Sequence, residues 1–263
     1  MIKREFKVNL RSFIIWLLIL IIMFLVVYLI YPYIITDETV KSMDELMEMF
    51  PPEMLKAFNM DMTSISTAYG WFKSEGFMYV LLIIGFYASM LGGGILLKEE
   101  NNKTIEYLNS LPIRRNNIII NKIIVGISYI LLMTLILGLF NYISLLILGD
   151  FDQKQFWLLS ITPILIGLPL FGINLFISTF LHKTKRTIGI SLGLVFIFYL
   201  LNVLSELSTK VEFLKYMSIY TLADVRNVIL DVKINPIMII ISVVITLITL
   251  IGSIIKYQKK ELV

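Results

Sequence analysis

Three groups of residues have types and spacings that could support chemistry. The glycine triplet at 92–94 has the composition of a phosphate-binding loop. The single histidine, His182, could act as a ligand or a proton carrier. Four clustered acids could bind a cation or work as an acid and a base: Asp44, Glu45, Glu48 and Glu53.

Each group has a simpler interpretation. The acids alternate with Met43, Leu46 and Met47 at helical spacing, which predicts the solvated face of an amphipathic helix. The glycines lack the following Lys-Ser or Lys-Thr of a phosphate loop, so ATP hydrolysis by this chain is not expected. His182 lies in the polar turn HKTKR without other metal ligands. We therefore predict no catalytic, cofactor or metal site, and hence a protein that is not an enzyme.

Composition sets the fold class. Hydrophobic residues make up 58% of the chain, and the mean hydropathy is +0.86. A helix needs about 20 apolar residues to cross a bilayer. The first apolar run is too long for a signal peptide and has no cleavage site, so it is expected to remain. We predict a single all-α integral membrane domain over 1–263, with six transmembrane helices at about 13–35, 77–97, 118–148, 156–181, 187–204 and 236–255.

Lys and Arg predict the orientation. Fifteen of the 23 lie at the two ends of the chain, in the loops after the second and fourth spans, or, for Lys122, at the start of the third span. Because basic residues concentrate on the cytoplasmic side, both termini and segment 98–117 are expected in the cytoplasm. The net charge of +4 then reflects topology and not nucleic acid. The outer loops 36–76 and 205–235 contain helical patterns, the first broken by Pro51 and Pro52.

The spans contain no Asp, Glu, Lys, Arg or His away from their ends. Ion-coupled transporters usually place such residues in the membrane core, so any energy for transport is expected from outside this chain. The remaining polar residues favour hydrogen bonds between helices over substrate contacts. They include Ser128, Thr134, Asn141, Ser144, Asn174, Ser178, Ser191 and Asn202.

Small residues mark positions where helices approach closely. Gly85, Ser89 and Gly93 recur every four residues on one face of the second span, and Gly189 and Gly193 form a GxxxG in the fifth. Such stripes let helix backbones pack together. They predict either packing within one subunit or a dimer seam, and both remain open.

Segment 98–117 interrupts two apolar runs with the polar sequence KEENNKTIEYLNSLPIRRNN. Asn102 or Thr104 can cap a short helix, which Pro112 ends. Ile105, Leu108 and Leu111 would form a small apolar stripe on that helix. The shape suits docking onto a cytoplasmic partner, and the alternative is a loop whose charges only hold it inside.

The order of these residues resembles the motif that follows the second span of type-2 ABC transporter permeases. Lys103 and Asn109 replace a usual glycine and leucine. The matching positions are Glu99 or Glu100, Thr104, Leu108, Ser110, Leu111, Pro112, Ile113, Arg114 or Arg115, and Lys122.

This resemblance implies a coupling helix at segment 98–117 that contacts a cytoplasmic ABC ATPase. It implies two ATPase subunits, which bind ATP and Mg, and a second permease subunit that is identical or homologous. The N-terminal KREFKVNLR looks like the connecting helix of the family. The ATPase-coupling residues would be Glu99, Glu100, Thr104, Leu108, Leu111, Pro112, Arg114, Arg115 and Lys122.

These expectations combine into a multi-pass permease of the bacterial plasma membrane, surrounded by lipid, that exports an amphipathic or hydrophobic molecule. A peptide toxin or antimicrobial peptide is suggested by methionines of the first outer loop, which suit adaptable apolar contacts, although the favoured interpretation of these methionines is a lid packed over the outer ends of the spans. The rival predictions are a non-transporting sensor or scaffold coupled to an ABC ATPase, and an intramembrane lipid-modifying enzyme. The methionines in question are Met43, Met47, Met49, Met54, Met60 and Met62.

Overall fold

The computed structural model describes residues 1–34, 45, 67–101, 114–207 and 209–260. Within these ranges every regular element is a helix, and six helices are long and apolar enough to span a membrane. Helices suit this composition because a bilayer core offers backbone groups no other hydrogen-bond partners. The all-helical class and the six candidate spans are confirmed. The amphipathic helices predicted in loop 36–76 fall outside the described residues, apart from Glu45.

Seven α-helices of at least seven residues are found in the described part of the chain. The first is continuous through the basic N-terminal segment, so the predicted connecting helix and the first span form one helix. The second contains a π-helical turn at Phe72–Gly76. Before α6 lie the 3-10 segments Thr209–Met217 and Tyr220–Ala223. The helices are α1 Ile2–Ile34, α2 Ala68–Ile95, α3 Arg115–Leu148, α4 Gln153–Ser178, α5 Thr184–Leu207, α6 Val225–Asp231 and α7 Pro236–Gln258.

Local sequence fixes where three of these helices begin. The Thr67 hydroxyl accepts a hydrogen bond from Gly70 N at 3.0 Å and starts α2. The Asp152 carboxylate accepts from two backbone N–H groups and starts α4. Asn235 accepts from Ile237 N at 3.0 Å, with Pro236 in the first turn of α7. Each cap satisfies backbone donors that the first turn of a helix leaves free.

Helix α4 lies at the centre of the bundle. It packs against α2, α3 and α7, while α1 lies on α3 and α5 lies on α2. The spans α2 and α4 are the most buried, whereas α1, α5 and α7 bury few of their side chains and expose several large apolar ones. Exposed apolar side chains on a spanning helix face lipid or another subunit.

Two prolines interrupt the hydrogen bonding of α4, and hydroxyl groups compensate for both. A proline in a helix leaves the carbonyl four residues earlier without its usual N–H donor. Thr162 Oγ1 donates to the carbonyl of Leu159, four residues before Pro163, at 3.0 Å. Ser242 Oγ of α7 donates to the carbonyl of Leu165, four residues before Pro169, at 2.7 Å. The second bond therefore joins α7 to α4.

The glycine triplet at the end of α2 allows this helix to touch the main chain of α4. A Cβ atom at Gly92 would overlap the carbonyl oxygen of Phe171, whereas one at Gly94 would lie 3.9 Å from Thr184 Cγ2. We expect Gly92→Ala to destabilise the protein by about 1–3 kcal/mol, since the two helices must move apart. Thermal unfolding in detergent, followed by tryptophan fluorescence, measures the loss.

Gly94→Ala is the matched control, because it makes the same change two residues away in ordinary van der Waals contact. It should leave the unfolding temperature unchanged or raise it, since alanine favours a helix more than glycine does. Equal unfolding temperatures for the two variants would contradict the close contact at Gly92.

Candidate functional site

The first and the last described residues, 1 and 260, lie at the same end of the bundle, which we call the terminal end. Lys98 Nζ, just after α2, donates to Asn9 Oδ1 of α1 at 2.6 Å. Arg115 Nη1, at the start of α3, donates to the carbonyl oxygen of Lys260 at 3.0 Å. The described flanks of segment 98–117, residues 98–101 and 114–117, also lie at this end. The opposite end, which we call the far end, carries residues 209–235.

The structure describes only the two flanks of the predicted coupling segment. Thr104, Leu108, Leu111 and Pro112 lie outside the described residues. Arg114 is exposed and precedes α3 in an extended conformation. Glu99, Glu100 and Lys122 are buried, and they join a network of ion pairs between helices.

Lys122 is the centre of the first half of this network. Its side chain is 0% exposed, and its ammonium group contacts Glu5 Oε2 at 3.0 Å and Glu99 Oε2 at 2.9 Å. A third bond, of 2.8 Å, goes to the carbonyl oxygen of Ile95 at the end of α2. Three partners satisfy the three donors of an ammonium group. Lys122 therefore ties α1, the end of α2 and α3 together.

Lys98 adds a second positive charge near this cluster. Burial and the Lys122 charge lower the pKa of Lys98, while Glu5 and Glu99 oppose them. Two carboxylates and two ammonium groups thus share one site between α1, α2 and α3. Such pairing offsets the cost of removing charges from water, and removal of one member leaves another unpaired.

Glu100 is the centre of the second half of the network of ion pairs. Its Oε1 accepts a bond from Lys260 Nζ at 2.7 Å, and its Oε2 lies 3.3 Å from His182 Nδ1. Lys260 also donates to the carbonyl oxygen of Leu181 at 2.7 Å. Burial lowers the pKa of Lys260, and the Glu100 carboxylate opposes this shift. A lysine at the end of α4 interacts favourably with the unpaired carbonyls of the last turn.

The adjacent residues Glu99 and Glu100 therefore connect segment 98–117 to most of the bundle. Glu99 links it to α3 and, through Lys122, to Glu5 of α1, and Glu100 links it to the α4–α5 turn and to Lys260 after α7. Asn101 adds hydrogen bonds to Thr184 at the start of α5. We name the set Glu5, Glu99, Glu100, Lys122, His182 and Lys260 the ion-pair network.

The ion-pair network joins residues 98–101, the first described flank of segment 98–117, to several helices of the bundle. Each of its carboxylates is paired with a lysine, and five of its six side chains are buried, whereas the His182 side chain is 52% exposed. The described residues also contain no group of three or more His, Asp or Glu side chains placed to hold a metal ion. A displacement of segment 98–117 must either carry α1, α3, α5 and α7 with it or break buried ion pairs.

Sequence reasoning missed Glu5 and Lys260. Glu5 is the one acid within the basic segment KREFKVNLR. Its isolation among basic residues was the only sequence feature that could have indicated a buried ion pair. Lys260 is 6% exposed while the neighbouring Lys259 is exposed, and nothing in the sequence separates the two lysines. His182, assigned above to a polar turn, reaches Glu100 from that turn.

The small-residue stripes occupy two different environments. Gly85 faces the Tyr220 hydroxyl, Ser89 is buried, and Gly93 faces Ser191 of α5 within the same chain. Among the residues that the structure describes, no side chain or neighbouring main chain lies within 4 Å of a Cβ added at Gly189 or Gly193. The first stripe thus packs inside the subunit, and the second lies on a free face of α5.

Six apolar helices joined at one end by buried charges define a multi-pass membrane protein. The chain belongs to the family described as ABC-2 family transporter protein, whose sequence model matches residues 1–262. It is thus a membrane component of an ABC transporter, in a family whose members associate with ABC ATPase subunits. Comparisons with curated proteins and with solved structures give no match.

Proposed function

We propose that the chain is the permease subunit of an ATP-driven exporter in the bacterial plasma membrane. Its substrate is an amphipathic or hydrophobic molecule, such as a peptide toxin or antimicrobial peptide. Two cytoplasmic ATPases bind ATP and Mg and supply the energy. The ion-pair network is the observation that carries this proposal, because it joins the segment that would meet an ATPase to the spans.

The terminal end is cytoplasmic in this proposal, in agreement with the excess of Lys and Arg there. Residues 102–113 provide the contact with the ATPase, and Glu99 and Glu100 transmit its movement. Membrane proteins bury charges only where these are paired, so a network this well satisfied resists partial displacement. Movement of the segment is therefore passed to whole helices.

A second permease subunit, identical or homologous, packs on the free face of α5. The support is that Gly189 and Gly193 are open while neighbouring apolar side chains on this helix, including Phe196 and Ile197, are more than half exposed. Small residues permit the close approach that helix pairs in membranes need. The transport path then forms between two subunits.

Transport in inside-out vesicles tests the proposal. The tagged chain is purified with whatever ATPase binds it, reconstituted, and offered a fluorescent amphipathic cationic peptide. We expect the peptide to accumulate with ATP and Mg and not with a non-hydrolysable analogue. ATP hydrolysis without accumulation, for this peptide and for a panel of amphipathic molecules, would favour the sensor or scaffold instead. Failure to recover an ABC ATPase would contradict the proposal.

A further inference from the structure

Two adjoining cavities lie at the far end of the bundle, remote from the ion-pair network. Their volumes are about 100 and 660 Å³. Four residues line both of them, which makes the two spaces one feature that we call the far-end cleft: Glu206, Thr221, Asp224 and Arg226.

One wall of the cleft is apolar and belongs to a membrane span. Ile237, Ile241 and Ile245 line the larger cavity at four-residue spacing along the first turns of α7. They therefore lie on one face of that helix. Ile237 and Ile241 are exposed, so the same face reaches the hydrocarbon region. The larger cavity is thus bounded by a surface that an acyl chain can follow.

The rest of the cleft lining carries charged side chains, and some of them lack an ion-pair partner in the described part of the chain. Lys215 and Glu212 pair with each other at 2.6 Å and leave no net charge. Glu206 and Arg226 form no ion pair within 4 Å with any residue that the structure describes. Glu206 is also half-buried, and a carboxylate in this position is stabilised by a cation.

Asp224 is held in place beside these two residues. Its Oδ1 accepts a bond from Asn227 Nδ2 at 2.8 Å, and its Oδ2 accepts from Asn235 N at 3.1 Å. Each oxygen keeps a further lone pair for a ligand. The cleft therefore presents two carboxylates and one guanidinium group, none directly bridged to another.

The short helix that carries Arg226 is fixed at both ends. Asp224 before α6 has φ 48°, and Val232 after it has φ 52°. The left-handed region is costly for a β-branched residue such as Val232 and persists only where the surroundings enforce it. The position of α6, and with it the spacing of Arg226 from Asp224, is thus determined by the fold.

We propose that the far-end cleft binds a membrane phospholipid whose head group contains both a primary ammonium and a phosphate. The ammonium lies between Glu206 and Asp224, the phosphate pairs with Arg226, and one acyl chain follows Ile237, Ile241 and Ile245. The excess of one carboxylate favours a head group with a cation, and the guanidinium group favours one with a phosphate. This site does not depend on the direction of transport or on an ATPase.

Native mass spectrometry of the full-length chain in detergent tests the site. The probes are phosphatidylethanolamine, phosphatidylcholine, which has no ammonium hydrogen to donate, and phosphatidylglycerol, which has no cation. We expect the wild-type protein to retain phosphatidylethanolamine about fivefold better than either of the others. Glu206→Gln should abolish this preference, and Arg226→Gln should weaken retention of all three lipids.

Asp231→Asn and Lys233→Gln are the matched controls, because both residues are exposed near α6 and neither lines the cleft. They should bind lipid as the wild-type protein does. Equal retention of the three lipids by the wild-type protein would overturn the proposal, and so would a preference that survives Glu206→Gln. If the protein bound soluble phosphoethanolamine as tightly as phosphatidylethanolamine, the apolar wall would have no role and the ligand would not be a membrane lipid.

Discussion

The Lys122→Met variant is expected to lose about 3–5 kcal/mol of stability, because it leaves Glu5 and Glu99 buried without their shared cation. Methionine has nearly the length of lysine, so the loss comes from charge and not from a cavity. The variant should unfold at a markedly lower temperature in detergent. Differential scanning fluorimetry of the purified chain measures the shift.

Lys7→Met is the matched control, since Lys7 is exposed two residues from Glu5 on α1. It should change stability only slightly, as is usual for an exposed charge. Replacing Glu5 and Glu99 with glutamine in the Lys122→Met background should recover much of the lost stability, because the two buried carboxylates are then neutral and only the half-buried Lys98 keeps its charge. If Lys122→Met unfolded at the same temperature as Lys7→Met, the ion-pair network would not hold these helices.

The Glu100→Lys variant is expected to hydrolyse ATP with its ATPase while transport falls about tenfold or more. The change places a third basic residue beside Lys260 and His182, so the bond from segment 98–117 to the end of α7 is lost. The ratio of peptide transported to ATP hydrolysed, in reconstituted vesicles, measures this uncoupling.

Lys260→Met removes the same ion pair from the other side and should lower the ratio in the same direction. Lys259→Met is its control, because Lys259 is the exposed neighbour. An unchanged ratio in Glu100→Lys and Lys260→Met would show that coupling does not pass through Glu100. If the variants failed to insert into the membrane, the Glu100–Lys260 ion pair would be needed for folding of the chain and not specifically for coupling.

Much of the fold could be predicted from local sequence. Long apolar stretches indicate the spans because a bilayer requires about 20 residues per helix. Thr162, which compensates for Pro163, is likewise a neighbour in the chain. Ser242 compensates for Pro169 from 73 residues away, and no local pattern identifies that contact.

The ion-pair network also contains contacts between residues far apart in the sequence, which local patterns do not predict. Glu99, Glu100 and Lys122 could be selected because they match a family motif, but Glu5 lies 117 residues from the lysine that it contacts. Such pairing depends on how α1 packs against α3, which hydropathy does not determine. The first small-residue stripe likewise could not be assigned to packing within the subunit until the positions of Tyr220 and Ser191 were known.

The central claim is that segment 98–117 contacts an ABC ATPase and transmits its movement through the ion-pair network. The chain contains no cysteine, so a single introduced cysteine is its only thiol. Leu108→Cys places that thiol in the proposed contact, and Leu230→Cys places it on an exposed side chain at the far end.

Cross-linking of the purified complex with a short amine- and thiol-reactive reagent is the most direct measurement. We predict that Leu108→Cys forms a covalent adduct with the ATPase subunit and that Leu230→Cys does not. An adduct from Leu230→Cys and none from Leu108→Cys would place the ATPase at the far end and contradict the account.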